Sequence, residues 1–222
     1  MNETSIPSLD LQNKALIEHY FRLTPLQVKR FNSLGTLYTT WNERINLISR
    51  KDIKNLYLHH IIHSLSIAKI IEFQPQAQVL DVGTGGGLPG IPLAILFPKT
   101  QFKLIDATAK KIKAVESIVQ DLGLDNVSTE HVRAEELKGS YDFIVCRAVS
   151  SLVNLYQWTK SYLKAESTHK LLNGLLCLKG GDLSLEIGQV KVGYHIYSLD
   201  KFFKEPFFAT KSIVHLYNRP IC

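Results

Sequence analysis

The sequence predicts an α/β protein: a mostly parallel β-sheet flanked by helices and preceded by a helical extension. Three observations predict it. From residue 78 onward, short runs of branched and aromatic residues alternate with helix-length stretches, the pattern of repeated strand–helix–strand units. Five glycines (Gly83, Gly85, Gly86, Gly87, Gly90) crowd in directly after the first such run. Residues 9–72 instead carry apolar residues at helical spacing. The 222 residues suffice for one α/β domain plus an extension and are short for two full domains. With 45% hydrophobic and 21% charged residues, the chain has the makings of an ordinary buried core.

Taken in order, a first helix is expected after Thr24-Pro25, which suit the N-cap and first helical positions; Leu26, Phe31, Leu34, Leu37, Tyr38 and Trp41 would form its apolar face. A second helix is expected from Lys51-Asp52, carrying Ile53, Leu56, Ile61, Leu65, Ile67, Ile70 and Ile71 and broken by Gln74-Pro75-Gln76. Strands are then expected at 79–82, 102–105, 127–131, 143–146 and 175–178. Helices fall between and after them at 91–97, 110–122, 152–163 and roughly 183–190. Two late segments, 195–199 and 212–217, alternate in character and predict a closing antiparallel pair.

The stretch VLDVGTGGGLPGIPLAI, residues 79–95, is the most informative. An apolar strand ends at Asp81-Val82 and the glycines follow, with Pro89 and Pro92 opening a helix where first-turn N–H groups need no helical partner. Glycines at this spacing permit positive φ and close approach of a ligand to backbone, and the following helix N-terminus favours an anion. The strand QFKLID ends in Asp106, placed to accept both hydroxyls of a ribose. Strand, glycines and acid fall in the register of a nucleoside site; the bland alternative is an Asp capping the next helix. GGGLPG at 85–90 also matches the dinucleotide pattern GxGxxG, so an NAD(P)-binding enzyme must be considered. Counted from Gly83, however, the third dinucleotide glycine falls on Leu88, while Asp81 fits D-x-G-x-G-x-G. This favours S-adenosyl-L-methionine (SAM), whose carboxylate would be the anion at the helix N-terminus. Residues 132–136 follow the third strand, where Ala134 would face an adenine ring and Glu135 fix the loop; a solvated charged turn is the alternative.

The fourth strand ends Cys146-Arg147-Ala148-Val149. The acid-or-Asn, double-proline and aromatic signature of adenine and cytosine amino-group methylation is absent. Methylation at pyrimidine carbon 5 needs a cysteine nucleophile, and Cys146 stands near that place, although a small buried strand residue is its simpler identity. Guanine N7 asks less: its in-plane lone pair attacks without prior loss of a proton, so positioning suffices. Arg147 is the candidate positioning group, for the SAM carboxylate or for guanine O6.

Together these residues resemble the bacterial 16S rRNA guanine-N7 methyltransferase family. The resemblance is carried by Trp41-Asn42, Asn46-Leu47, His60 through Ser64-Leu65, Asp81 through Pro92, Asp106, Lys110-Lys111, Arg133-Ala134-Glu135, Arg147-Ala148 and Lys179-Gly180. It implies a Rossmann-like class I SAM methyltransferase with a mostly parallel seven-stranded sheet, a closing antiparallel hairpin and an N-terminal helical extension, divided at residues 1–73 and 74–222. It implies Gly83, Gly85, Gly87, Leu88, Ala134, Glu135 and Arg147 at SAM, Asp106 at its ribose, and Lys110, Lys111 and Lys179 at RNA phosphates. The implied substrate is 16S rRNA, naked or in a small-subunit particle. The chain departs from the family at His63, where Asp is usual, and at Ala107, where Ser is usual.

The net charge of +6 favours an anionic partner without identifying it. Cys146, Cys177 and Cys222 show no metal-ligand spacing, so no metal is expected, and free thiols suit a reducing compartment. The N-terminus lacks the features of a signal peptide and the apolar runs are too short to span a bilayer. A cytoplasmic monomer acting away from membranes is therefore expected. Two further functions compete. A small-molecule SAM methyltransferase would show an acidic surface and an aromatic-lined lid, and a non-catalytic nucleic-acid-binding protein an eroded glycine loop.

Overall fold

The computed structural model describes residues 15–218; the helical expectation for 9–14 and the third thiol, Cys222, lie outside them. Helix α1, Pro25–Arg44, starts as expected. Thr24 Oγ1 accepts the Gln27 N–H at 3.3 Å and Gln27 Oε1 accepts the Thr24 N–H at 2.8 Å, a reciprocal capping box. The buried face of α1 is Gln27, Phe31, Leu34, Tyr38 and Asn42, whereas Leu26 is 55% exposed. Gln27 displaces Leu26 because its amide has work inside: Nε2 donates to the Ile95 and Leu96 carbonyls, each at 3.0 Å. This satisfies the C-terminal carbonyls of a second helix and docks α1 on the sheet layer.

The second expected helix is present only in broken form. Residues 53–69 run as a 3₁₀ turn (Ile53–Asn55), a π-helical stretch (Leu56–Ile62), one α turn (His63–Leu65) and another 3₁₀ turn (Ser66–Lys69). Two local causes are visible. Ser64 and Ser66 hydroxyls donate to the His60 and His63 carbonyls at 2.6 Å, competing with the helical ladder. The widened π turn also lets adjacent His59 and His60 reach the same carboxylate, Asp52, both at 2.7 Å.

The sheet comprises β1 (Gln78–Val82), β2 (Gln101–Asp106), β3 (Val127–His131), β4 (Phe143–Arg147), β5 (Gly174–Gly180), β6 (Gly193–Ser198) and β7 (Lys211–Tyr217). Its order is β3-β2-β1-β4-β5-β7-β6. Pairing is parallel from β3 through β5 and antiparallel at β5/β7 and β7/β6. The expected closing antiparallel pair is present, and within it β7 lies between β5 and β6, an order the sequence reading leaves open. All seven residues of β7 pair with β5, and its centre, Ile213 to Leu216, is buried. β6 has an exposed centre, the pattern of an edge strand.

Helices α2 (Gly90–Leu96), α3 (Ala109–Leu122) and α4 (Leu152–Thr159) follow β1, β2 and β4. α4 ends at Thr159, where a 3₁₀ turn (Lys160–Tyr162) takes over. The helix expected at 183–190 shrinks to Ser184–Ile187. Strand residues alternate between two cores. Val79, Phe102, Leu104, Val145 and Leu176 face α1, α2, α3 and the 53–69 segment, while Leu80, Val82, Ile105, Ile144 and Leu175 face α4 and residues 183–192. No helix among the described residues is long and apolar enough to cross a membrane.

The order reverses between β2-β1 and β4, the switch point where a crevice opens at the carboxyl ends of the strands. The glycine loop, Asp106 and Arg147 all lie there.

Candidate active site

Gly83, Gly85 and Gly87 have φ of 63°, 59° and 86°, the left-handed region that favours glycine. The loop they form is tied down from within. Thr84 N–H donates to the Ile105 carbonyl at 2.9 Å, and the Gly87 and Leu88 N–H groups donate to the Thr84 carbonyl at 2.9 Å. Asp106, only 8% exposed, accepts the Gly85 N–H at 2.9 Å through one oxygen and the Thr108 N–H at 2.8 Å through the other. The second-strand acid thus fixes the glycine loop while keeping further lone pairs for a ligand.

Asp81 lies beneath the loop, fully buried. Its Oδ2 accepts Thr84 Oγ1 at 2.6 Å and the Gly90 N–H at 2.8 Å. The start of α2, where a ligand carboxylate was expected, is therefore occupied by the chain's own carboxylate. Burial pushes the Asp81 carboxyl up to about 7, opposed by the hydrogen bonds from Thr84 and Gly90 and by the Arg147 charge. Its Oδ1 is buried without a hydrogen-bond partner.

A cavity of about 150 Å³ opens beside Gly83, lined by Val82, Ile105, Asp106, Ala134, Glu135, Val149 and Trp158 among others. Apolar walls with one carboxylate at the strand tip suit a nucleoside, the purine against Ala134 and Val149 and the ribose at Asp106. The residues present therefore fit the adenosine part of SAM. Leu88 does not join them: its side chain is 3% exposed and its N–H is used inside the loop. Glu135 is exposed at the rim.

Arg147 ends β4 and turns inward. Burial lowers its pKa, opposed by the Tyr38 hydroxyl and by the carboxylates of Asp81 and Asp52. Its Nη1 donates to the His59 carbonyl at 3.3 Å, so the helical extension contacts the site directly. Two more such contacts were not legible in the sequence. The Tyr38 hydroxyl donates to the Gly86 carbonyl at 2.7 Å, and Leu47 and Tyr38 pack where a Cβ on Gly86 would stand. Asp52 accepts from His59 and His60; burial would raise its carboxyl, but hydrogen bonds from Asn55, His59 and His60 hold it at about 2. Burial and the Arg147 charge lower His60 to about 4, and burial, Arg147 and Lys211 lower His63 to about 3. Both imidazoles are neutral at pH 7, beside one buried guanidinium. The three histidines within LYLHHIIHSL were the available signal for this cluster.

Cys146 is buried, its sulfur 3.1 Å from that of Cys177 on β5. The Cys177 contact, burial and nearby Asp81 hold its thiol well above the usual range, the opposite of an activated nucleophile. Lys110 is exposed and Lys111 half-buried in the first turn of α3. Lys179 is occupied internally, with Nζ 2.9 Å from both the Ser150 carbonyl and Glu186 Oε1.

The family model described as rRNA small subunit methyltransferase G matches residues 27–199. Proteins named ribosomal RNA small subunit methyltransferase G from Flavobacterium johnsoniae and Bacteroides fragilis are 53% and 46% identical, over 90% and 96% of this chain and 96% of each relative. Among solved structures, a SAM-dependent methyltransferase from Aquifex aeolicus superposes with a TM-score of 0.51 at 18% identity, covering 69% of this chain and 88% of its own. The YcgJ protein of Bacillus gives 0.51 at 16%, covering 71% and 99%; these two likenesses concern the fold alone. The chain is a SAM-dependent methyltransferase and belongs to the rRNA small subunit methyltransferase G family.

Proposed function

We propose that this enzyme transfers a methyl group from SAM to N7 of a guanine in 16S rRNA of the small ribosomal subunit. The observation that carries the choice of acceptor is the state of the β4 end: a buried, masked thiol at Cys146 followed by a half-buried Arg147, with no acid or amide within residues 146–149. A thiol held protonated cannot add to a pyrimidine ring. Guanine N7 needs neither a nucleophile nor a base, because the N7–methyl bond forms from an existing lone pair as the sulfur–methyl bond breaks, with no proton released.

SAM supplies the electrophilic methyl on its sulfonium. The chain's contribution is placement. Asp106 would accept the ribose hydroxyls, Ala134 and Val149 would flank the adenine with Glu135 at the rim, and Gly83, Gly85 and Gly87 would let the ligand lie against backbone. Since Asp81 already occupies the start of α2, Arg147 is the cation we assign to the SAM carboxylate, its charge acting on Asp81 and Tyr38 beneath the loop. Lys110 and Lys111 sit at a helix N-terminus, where their own charge opposes the dipole; that arrangement favours an added anion such as an RNA phosphate. In this reading the helical extension, through Tyr38 and Leu47, supports the glycine loop, and the domain that begins at residue 74 carries the reaction in a monomer.

Transfer of labelled methyl from SAM to naked 16S rRNA, small subunits and 70S ribosomes, with nuclease mapping, tests the proposal. Label recovered in a single 7-methylguanosine supports it. SAM binding with no transfer to any of the three RNAs contradicts it and favours a small-molecule acceptor.

A further inference from the structure

We propose that Lys179 is a positioning residue of the cofactor cleft, anchoring the segment after β4 so that Val149 forms a wall of the cleft against Gly83. The inference rests on reading this cleft as the SAM site. The segment between β4 and α4 contains a left-handed residue that is not glycine, Ala148, with φ of 55°. That bend aims Val149 back over the glycine loop: a Cβ built on Gly83 would lie 2.7 Å from Val149 Cγ2 and 3.0 Å from Cγ1. The valine therefore rests on the bare Cα of the first glycine, where no larger residue could let it in. It lines the same cavity as Asp106, Ala134 and Trp158, yet is itself 37% exposed. A half-exposed valine over a nucleoside cleft supplies apolar surface that an adenosine would cover.

A residue with a Cβ is strained in this conformation, so something must hold it. Lys179 does. It lies at the end of β5, with its side chain 15% exposed, and its ammonium bridges the Ser150 carbonyl and Glu186 Oε1 at 2.9 Å each. On the far side of that carbonyl, Ser151 caps α4, its hydroxyl accepting the Asn154 N–H at 3.3 Å. The valine is thus carried on a short segment pinned by Lys179 on one side and by the α4 cap on the other. A phosphate contact by Lys179 would compete with the two partners its ammonium already has, which distinguishes it from exposed Lys110.

The test separates SAM affinity from RNA affinity in the full-length enzyme. SAM binding by calorimetry and small-subunit rRNA binding at two salt concentrations are measured for the wild type, Lys179→Met and Val149→Ala. The account predicts SAM affinity weakened about fivefold or more in both variants, with RNA affinity and its salt dependence within about twofold of wild type. The double variant should be little worse than either single one, because both remove the same wall. Weaker RNA binding with a shallower salt slope and unchanged SAM affinity in Lys179→Met would make Lys179 a phosphate contact and overturn the proposal. Unchanged SAM affinity in Val149→Ala would overturn it as well, and that variant carries the test should Lys179→Met fail to fold. Absence of SAM binding in the wild type is a different result, the failure of the cofactor reading itself.

Discussion

Replacing Tyr38 by phenylalanine isolates the link between the helical extension and the cofactor loop. The hydroxyl is fully buried and donates to the Gly86 carbonyl at 2.7 Å, while the ring packs beside Gly86. The substitution keeps the ring and deletes one donor. A buried hydrogen bond is worth about 0.5–1.5 kcal/mol net, and an orphaned buried carbonyl adds a desolvation cost, for a combined loss of roughly 1–3 kcal/mol. Urea unfolding should show a lower midpoint at unchanged slope. Part of that loss falls on the loop itself, because Gly86 lies between Gly85, which Asp106 holds, and Gly87, which bonds back to Thr84. SAM affinity should therefore weaken about three- to tenfold, up to roughly 1.4 kcal/mol, with RNA affinity unaltered. A stability loss of this size with unchanged SAM affinity would refute the reasoning, because it would show that Gly85–Gly87 keep their shape without the extension.

Stability should fall on acidification below about pH 6.5. His60, His63 and His215 are held at about 4, 3 and 4, so the unfolded chain, with ordinary histidines near 6.5, binds more protons as pH drops. Their contribution is complete above 6.5 and is lost as pH falls toward those values. Asp81, raised to about 7, acts oppositely over part of this range, leaving a net slope of somewhat under two protons, roughly 2–3 kcal/mol per pH unit near pH 5. Urea midpoints at pH 7, 6 and 5 measure this, and a flat profile would contradict the buried neutral histidines. Gly90→Ala should destabilise by roughly 2–4 kcal/mol, because its methyl would lie 2.7 Å from Asp81 Oδ2 and 2.8 Å from Leu104 Cγ, overpacking the site and stretching the Gly90 hydrogen bond. Gly181→Ala, at φ of 79° with nothing within 4 Å, should lose only the backbone strain of about 1–2 kcal/mol, as thermal melts can show. Arg147→Met should raise the KM for SAM more than that for RNA; the reverse would place the guanidinium on the base.

What the sequence made legible was local. The third strand, Val127–His131, coincides with its expectation because β-branched Val127 and Thr129 stand at every second position directly after the turn residues Asp125-Asn126. The glycines and Asp106 are legible because positive φ and a strand-tip acid leave residue-type signatures. The insertion of β7 is not, since strand order is set by which neighbour buries Ile213 to Leu216 and leaves no periodic trace. The broken 53–69 helix was hidden because its apolar spacing is helical, while the disruption comes from two serine hydroxyls and one shared carboxylate. Lys179 and Leu88 show the same limit: a resemblance assigns a residue to a site, but burial and existing partners decide whether it is free to act there.

The central claim, that the Gly83–Gly87 loop and Asp106 form a SAM cleft, is tested most directly by calorimetry with SAM and with NAD(P) on the wild type and Asp106→Ala. The account predicts SAM binding to the wild type, at least tenfold weaker binding to a folded Asp106→Ala, and no NAD(P) binding to either. NAD(P) binding in place of SAM, or SAM affinity indifferent to Asp106, would contradict it.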